Sequence, residues 1–294
     1  MEVIAFTEEE GTRFVPFLGS SVFTGILDKD AAYALEDKAG VTFGAAMFEA
    51  KLDQTHLVQR PENPSQIKAY VELHIEQGPV LETERIPIGV VEAIVGNGNL
   101  VIEVEGRAGH VGTTPMSTRR DALIGASKLI LGIHGIVRRV GSSSVATVGS
   151  LTISPNASNV VPGKVVLTVD FRDSTVDGMN FLQSEISSLA KKVGTEEDLK
   201  ISVILKDVTK PAKMSARIMQ TVEAAADSLG LSHVRLRSGA GHDCQNLAQV
   251  TETGMIFVPS HAGLSHVPAE FTASEQLEAG ANVLLETMLR LANE

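Results

Sequence analysis

The chain has 294 residues, a formal net charge of −11 and one cysteine, Cys244. This length allows one large domain or two ordinary domains, and the negative charge disfavours nucleic acids and anionic membranes as partners, since both require a basic surface. A single cysteine excludes an intrachain disulfide, and no apolar run reaches the roughly 18–20 residues of a membrane span. We therefore predict a cytoplasmic protein.

The first predicted element is a core strand over Val3 to Phe6, a short apolar run that leads into Glu8-Glu9-Glu10-Gly11. In α/β sheets, active sites gather at the carboxyl ends of strands. Neighbouring side chains of an extended backbone point to opposite sides, so one carboxylate can hold a metal ion while the other accepts a proton from water. A solvated acidic turn is the alternative interpretation.

Short helices are predicted next, over residues 19–27, 28–35 and 41–51, with Ser and Asp as N-caps. Pro61 and Pro64 then predict a loop over residues 58–65. This loop leads to the next strand.

That strand contains the polar stretch Glu72-Leu73-His74-Ile75-Glu76-Gln77-Gly78-Pro79. Apolar residues alternate with Glu72, His74 and Glu76, which is typical of a strand with one apolar and one polar face, and the Gly-Pro pair ends it. An imidazole between two carboxylates can offer a metal ion a neutral nitrogen ligand. A solvated strand edge is the alternative.

The middle of the chain predicts a split ferredoxin-like unit with the order β-α-β-β-α-β. Gly96 to Asn99 is interpreted as a hairpin connection, because no helix or lysine follows to make a phosphate loop. The strands and helices are predicted from apolar residues with strand or helical spacing within 100–105, 122–137, 145–153, 165–171, 181–193 and 201–205.

Helix–strand alternation returns after residue 208, with helices over 214–228 and 274–292 and strands over 234–236 and 255–258. The chain therefore leaves a first domain, builds a second and comes back. We place the boundaries near Gly89 and Asp207, giving one domain from 1–89 and 208–294 and another from 90–207.

Four further segments are poor in bulky residues and rich in ligand-type side chains, namely 7–11, 108–115, 239–243 and 263–268. Together with His74, they resemble the di-zinc amidohydrolases that cleave N-carbamoyl groups: N-carbamoyl-L-amino-acid hydrolase, β-ureidopropionase and allantoate amidohydrolase. The resemblance covers nearly the whole chain, with the motifs in the family's order. It implies an α/β, zinc-peptidase-like catalytic domain with an inserted ferredoxin-like (βαββαβ) lid that also makes a homodimer.

The resemblance assigns Glu9 as general base, Glu10 and His266 as ligands of one zinc ion, and His74 as a ligand of the other. The family holds two divalent ions per subunit, and manganese or cobalt would accept the same ligands as zinc. The pair His242-Asp243 matches a further family motif, and its role at the site stays open. For His266, a surface-loop histidine is the alternative.

The resemblance also implies residues that contact substrate. Gln77 offers an amide, while Asn159 and Arg172 would grip a substrate carboxylate, since a guanidinium forks onto a carboxylate through two hydrogen bonds. His110 would reach the active site of the partner subunit and polarise the carbonyl under attack. The alternatives are a strand-end salt bridge for Arg172 and a strand-capping turn histidine for His110.

The function predicted from the resemblance is metal-dependent hydrolysis of the carbamoyl (ureido) C–N bond of N-carbamoyl-L-amino acids, with allantoate as the alternative among small carboxylate-bearing ureido substrates. The family also has an N-terminal His-x-Asp ligand motif and a metal-bridging Asp, and neither is found upstream of Glu9. The sequence is thus expected to be a family member without its first section. A rival hypothesis is an inactive homologue that acts only as a dimeric fold, because part of the metal site is absent.

Overall fold

The computed structural model describes residues 1–52, 66–141 and 144–294. The loop predicted over residues 58–65 lies outside the described residues. The helices are α1 (Leu18–Thr24), α2 (Lys29–Tyr33), α3 (Phe43–Glu49), α4 (Val80–Glu84), α5 (Ala122–Val140), α6 (Val176–Glu197), α7 (Ala216–Ser228), α8 (Asp243–Leu247) and α9 (Ser274–Asn293). The strands are β1 (Tyr70–Ile75), β2 (Ile88–Ile94), β3 (Gly96–Glu105), β4 (Gly109–His110), β5 (Ser144–Ser154), β6 (Val160–Val161), β7 (Lys164–Asp173), β8 (Lys200–Thr209), β9 (Ala212–Lys213), β10 (His233–Ser238) and β11 (Thr253–Val258).

The chain forms two compact units. Unit 1 comprises Met1–Ile94 and Ala212–Glu294, and unit 2 comprises Val95–Pro211. The boundaries predicted from the sequence lie near Gly89 and Asp207. The differences of a few residues arise because β2 continues to Ile94 and β8 to Thr209 before the chain changes unit.

Unit 1 is built on a mixed sheet with the strand order β1-β11-β2-β10, in which β1 runs parallel to β11 and β2 parallel to β10. Every residue of β11 is buried. Ile218 and Val222 of α7 and Val283 of α9 belong to the same apolar core as the strands. Burial of these apolar side chains is the main stabilising contribution to the unit.

The strand β9 pairs with β2 in the antiparallel sense, with Ala93 opposite Lys213 and Ile94 opposite Ala212. The chain therefore leaves unit 1 and returns to it at adjacent positions of one sheet.

Three short helices, α1 to α3, surround a smaller apolar cluster of unit 1. The side chains of Asp28 and Thr42 accept hydrogen bonds from backbone N–H groups at the starts of α2 and α3, as expected for N-caps. The helix α1 instead begins after Phe17, whose φ of 58° lies in the left-handed region, with no side-chain cap. Of the predicted caps, the aspartate is confirmed, and the serine is wrong for α1.

Unit 2 is an antiparallel sheet with the order β5-β7-β3-β8, and its elements follow one another as β-α-β-β-α-β. Along β3 and β7, buried residues alternate with half-buried ones. Leu129 of α5 and Leu182 of α6 pack against the buried face, with Leu100 and Leu167. The ferredoxin-like prediction and the α/β fold class are confirmed. In the described part of the chain, no helix is long and apolar enough to cross a bilayer.

The strand predicted over Val3 to Phe6 is wrong, since the structure, where it describes the chain, assigns no strand to these residues. Val3 is 95% exposed. The segment is held instead by the ring of Phe6, whose centroid lies 5.6 Å from that of Phe23 and 6.4 Å from that of Tyr70. An apolar run becomes a strand only where a neighbouring edge accepts its hydrogen bonds, and here aromatic packing takes that place.

The hairpin predicted over Gly96 to Asn99 is also wrong, because these residues form the first part of β3. A Cβ atom at Gly98 would lie 2.3 Å from Cζ of Phe171, and one at Gly96 would lie 2.7 Å from Cδ of Pro211. The glycines therefore admit neighbouring side chains to the strand surface instead of forming a turn.

Candidate metal centre and active site

His74 lies near the carboxyl end of β1, next to β11, where His74 pairs with Phe257. Its Nδ1 lies 2.8 Å from the carbonyl oxygen of Ile75. A carbonyl oxygen only accepts hydrogen bonds, so Nδ1 carries a proton, and in the neutral form of the ring Nε2 keeps the lone pair that a metal ion would use. Metal-binding histidines commonly donate their other ring N–H in this way, which fixes the tautomer and the ring orientation.

His242 is the residue before α8, and its side chain is 1% exposed. Its Nε2 lies 2.7 Å from Oγ of Ser238. Its Nδ1 is buried and finds no hydrogen-bond partner among the described residues, since Oε1 of Glu72 is 3.7 Å away. A buried nitrogen without a partner is costly, and this one lies in a ring whose centroid is 4.6 Å from that of His74.

Glu9 completes this cluster. Ligand-type atoms of Glu9, His74 and His242 all lie within 4.8 Å of one another. Burial raises the pKa of Glu9 to about 7, and the charges of Glu10 and Asp243 act in the same direction. The carboxyl is thus poised to exchange a proton near neutral pH.

Two further carboxyls lie in the same desolvated environment. Burial raises the pKa of Glu72 to about 7, although it accepts hydrogen bonds from the Tyr70 hydroxyl (3.0 Å) and the Cys244 amide (2.9 Å). Burial also raises the pKa of Asp243, which accepts a hydrogen bond from Ser20. The pKa of His242 is lowered to about 3, first by burial and then by His74, so this imidazole is neutral.

Glu10 and His266 meet beside this cluster in unit 1. Oε2 of Glu10 lies 3.3 Å from Nε2 of His266, and the amide nitrogen Nε2 of Gln77 lies 3.4 Å from the same ring nitrogen. A cavity of about 330 Å³ opens here. It is lined by Glu10, Leu73, His74, Ile75, Gln77, Val258, Glu270 and Leu277.

The chemistry of these donors fits a divalent cation. Imidazole nitrogens are common ligands of catalytic zinc, whose sites leave a coordination position open for water beside a base such as Glu9. Both the lone pair on Nε2 of His74 and the unpartnered Nδ1 of His242 are accounted for if they face a cation. Glu10 and His266 offer a carboxylate and an imidazole for a second ion.

Unit 2 holds the other predicted site residues. His110 pairs with Val160 between the two-residue strands β4 and β6, and its Nδ1 accepts a hydrogen bond from the amide of Gly112 at 3.1 Å. Asn159 precedes β6, and its carbonyl oxygen accepts a hydrogen bond from the amide of Val111 at 3.2 Å. His110 and Asn159 therefore lie close together at the short β4–β6 ladder. These hydrogen bonds of the two residues are made to other residues of unit 2.

Arg172 lies on β7 and forks onto Asp170. Its Nε and Nη2 donate to the two carboxylate oxygens at 2.9 and 3.1 Å. Asp170 also accepts a hydrogen bond from Nδ2 of Asn97 at 2.9 Å. The salt bridge that the sequence offered as an alternative is therefore present, and a role of Arg172 in substrate binding stays a prediction.

The position of His242 and the roles of Glu72 and Glu270 do not follow from the sequence predictions. Strand alternation along β1 puts Glu72 on the same face as His74, so this signal was available. No local sequence pattern indicates that His242 lies against His74, because this position depends on long-range packing between α8 and β1.

Comparison with known proteins identifies the class. Residues 1–290 match the profile of peptidase family M20/M25/M40, and the chain belongs to this family. The chain is 38% identical over 291 residues to an N-carbamoyl-L-amino-acid amidohydrolase of Paenarthrobacter aurescens, covering 99% of this chain and 71% of the relative. It is 36% identical to an allantoate amidohydrolase of Escherichia coli K12, with the same coverage.

A solved structure shows the same fold. The crystal structure of a hydantoinase/carbamoylase family amidase from Burkholderia multivorans superposes with a TM-score of 0.90 at 37% identity, covering 98% of this chain and 70% of that one. The predicted family and the zinc-peptidase-like fold class are therefore confirmed. The predicted enzyme class, a hydrolase of the amidohydrolase group, is confirmed at that level.

Proposed function

We propose that the protein hydrolyses the carbamoyl C–N bond of N-carbamoyl-L-amino acids with the help of bound divalent cations. The observation that carries the proposal is the cluster of Glu9, His74 and His242, in which two imidazoles lie beside a carboxyl with a pKa of about 7. The names of the relatives support the substrate class.

In this proposal, His74 and His242 hold one cation, while Glu10 and His266 hold the other. Bound there, a divalent cation supplies a Lewis acid that polarises the carbamoyl carbonyl and makes water a better nucleophile. His242 was not among the predicted ligands, and its unpartnered Nδ1 supports adding it.

Glu9 accepts the proton of the attacking water and returns it to the leaving nitrogen. A base works best when its pKa lies near the working pH, and burial gives Glu9 such a pKa. Water adds to the carbamoyl carbon, the bond from this carbon to the amino-acid nitrogen breaks, and the proton from Glu9 completes the free amine. The products are the amino acid and carbamate, which decomposes to ammonia and carbon dioxide.

Gln77 in unit 1 contacts the substrate through its amide, beside the Glu10–His266 pair. Asn159 and Arg172 of unit 2 bind the substrate carboxylate. The support for this role is the family resemblance, and in it Arg172 would meet the substrate while its Nε and Nη2 stay bonded to Asp170. His110 polarises the carbonyl in the active site of a second subunit, so we propose a homodimer formed through unit 2.

Allantoate is the second candidate substrate, favoured by the relatives of that name at similar identity. Both substrates carry a carboxylate and a ureido carbon. Purified protein, prepared without chelator, tests both candidates: elemental mass spectrometry gives the metal content per chain, and ammonia release is compared for N-carbamoyl-L-amino acids and allantoate.

About two ions per chain, and faster turnover of the carbamoyl amino acids, are expected. Faster turnover of allantoate would replace the first substrate with the second. Well under one ion per chain, without hydrolysis of either substrate, would contradict the claim that this polypeptide is itself a working enzyme.

A further inference from the structure

The side chain of Glu270 stabilises the turn that contains His266 through two hydrogen bonds. One carboxylate oxygen, Oε2, accepts hydrogen bonds from the hydroxyl of Ser265 at 2.8 Å and from the backbone amide of His266 at 3.0 Å. A glutamate carboxylate only accepts hydrogen bonds, so both donors are directed at this oxygen. Hydrogen bonds to an ionised acceptor are stronger than those between neutral groups.

The backbone of His266 needs such a restraint. Its φ is 59°, in the left-handed region that a non-glycine residue adopts only at a cost. The bond from the His266 amide to Glu270 acts directly on this residue, and its ring is the one that meets Glu10. Loss of the carboxylate would free the turn to relax and to move the ring.

A second connection runs from Glu270 to Gln77. The Ser265 hydroxyl has one hydrogen, which it donates to Glu270, so it can only accept from Nε2 of Gln77, at 2.9 Å. This fixes the amide of Gln77 with its NH₂ group towards Ser265 and its carbonyl oxygen pointing away. The backbone amide of Gln77 is separately anchored on Oγ of Ser260, at 2.9 Å.

We propose that Glu270 is a positioning residue for the active site: its carboxylate holds His266 in place as a cation ligand and, through Ser265, sets the orientation of the Gln77 amide that contacts substrate. This inference rests on the proposed function. Oε2 of Glu270 takes part in two hydrogen-bond paths, one directly to the amide of His266 and one through the Ser265 hydroxyl to Gln77. A substitution of the Ser265 side chain interrupts only the second path.

The experiment compares the unaltered protein with Glu270→Ala, Glu270→Gln and Ser265→Ala. Glu278→Ala, which removes an exposed glutamate of α9, is the control. Three quantities are measured for each: zinc affinity by competition with a chromogenic chelator, KM and kcat for an N-carbamoyl-L-amino acid, and hydrogen exchange of peptides covering residues 261–271 in metal-free protein. Circular dichroism verifies that each variant is folded.

Glu270→Ala is expected to weaken zinc binding about 10-fold, to raise KM and to speed exchange in the turn without metal, since partners of metal ligands typically contribute such factors. Glu270→Gln should recover part of each loss, because its amide oxygen still accepts. Ser265→Ala should raise KM while its zinc affinity stays within about twofold of the unaltered value. Glu278→Ala should change none of the three.

A folded Glu270→Ala variant with unchanged zinc affinity or unchanged exchange would overturn the inference and leave the proposed function standing. Equal losses of zinc affinity in Ser265→Ala and Glu270→Ala would also overturn it, since the two connections would not be separate. If the unaltered protein neither bound zinc nor hydrolysed the substrate, the proposed function would fail, and the inference with it.

Discussion

The buried cluster of unit 1 and the surface of unit 2 hold their charged side chains in opposite ways. In unit 1, Glu9, Glu72 and His242 are desolvated, and burial is the largest cause of each pKa shift. In unit 2, Glu105 and Lys128 are solvent-exposed, and their pKa values are shifted by ion-pair partners in the direction that favours the charged form. Groups held in an unfavourable charge state mark a site of chemistry, whereas paired surface charges mark a solvated face.

The largest expected effect tests the chemical side of this contrast. Glu9→Gln removes the proton acceptor while preserving shape, so kcat should fall about 10²- to 10⁴-fold with little change in metal content. Steady-state kinetics and elemental analysis on the same preparation measure both. Loss of metal together with activity would instead make Glu9 a ligand and not the base.

The next effect concerns the stability of unit 1 as pH changes. The pKa of Glu72 is raised from 4.5 to about 7, so the folded state binds more protons than the unfolded state between these values. Stability should therefore fall as pH rises through this window. Glu72→Gln lacks this titration, and its stability relative to the unaltered protein should increase by about 3 kcal/mol between pH 4.5 and 7.5. Urea unfolding of metal-free protein at a series of pH values measures this.

Glu223→Gln is the matched control. Hydrogen bonding to Arg235 lowers the pKa of Glu223, so its contribution is present above its unfolded pKa and lost only as pH falls through the folded value. The stability of Glu223→Gln relative to the unaltered protein should stay constant from pH 6 to 7.5. A similar change of relative unfolding free energy with pH in both variants would contradict the assignment of the effect to the raised pKa of Glu72.

A smaller effect is expected from packing in unit 2. Gly98→Ala would place a Cβ atom 2.3 Å from the Phe171 ring, inside the apolar core. The ring must shift, which should cost about 1–3 kcal/mol of unfolding free energy. Thermal or urea unfolding of the variant measures the loss. Gly149→Ala, on β5 with open space around its Cβ position, should be much closer to neutral.

The smallest effect is predicted for a surface ion pair of unit 2. Lys200 contacts Glu105 at 3.0 Å, and both side chains are exposed. Water and salt screen such a pair, so Lys200→Ala should leave Tm unchanged within experimental error. A clear drop in Tm would contradict the view that the charges of unit 2 form a solvated face.

Much of unit 2 could be predicted from the sequence, because local patterns determine it. The helical spacing of Ala122, Ala126, Leu129 and Ile133 gave α5, and those four side chains are buried. Gly96 and Gly98 led to a wrong prediction, since glycine is typical both of a turn and of a strand position where another side chain approaches the backbone closely. The groups that distinguish the two, Pro211 at Gly96 and the Phe171 ring at Gly98, lie more than 70 positions along the chain.

Some residues of the candidate site of unit 1 could be singled out from the sequence, but their arrangement could not. Alternation placed His74 on the polar face of β1, and the structure keeps that strand. The sequence does not indicate that Nδ1 of His242 is buried beside His74 with no hydrogen-bond partner in the described ranges, because this follows from how α8 packs on the sheet.

The pairing of β2 with β9 has a consequence for the exchange of unit 2 between related genes. Paired strand residues lie about 4.5–5.5 Å apart at their Cα atoms, so the insert begins and ends at neighbouring points. Asn97 pairs with Thr209, so the insert's own ends are also adjacent. A short linker from Ile94 to Ala212 would therefore make unit 1 a continuous chain. Recombination could in turn replace residues 95–211 as one segment without interrupting a strand of either sheet.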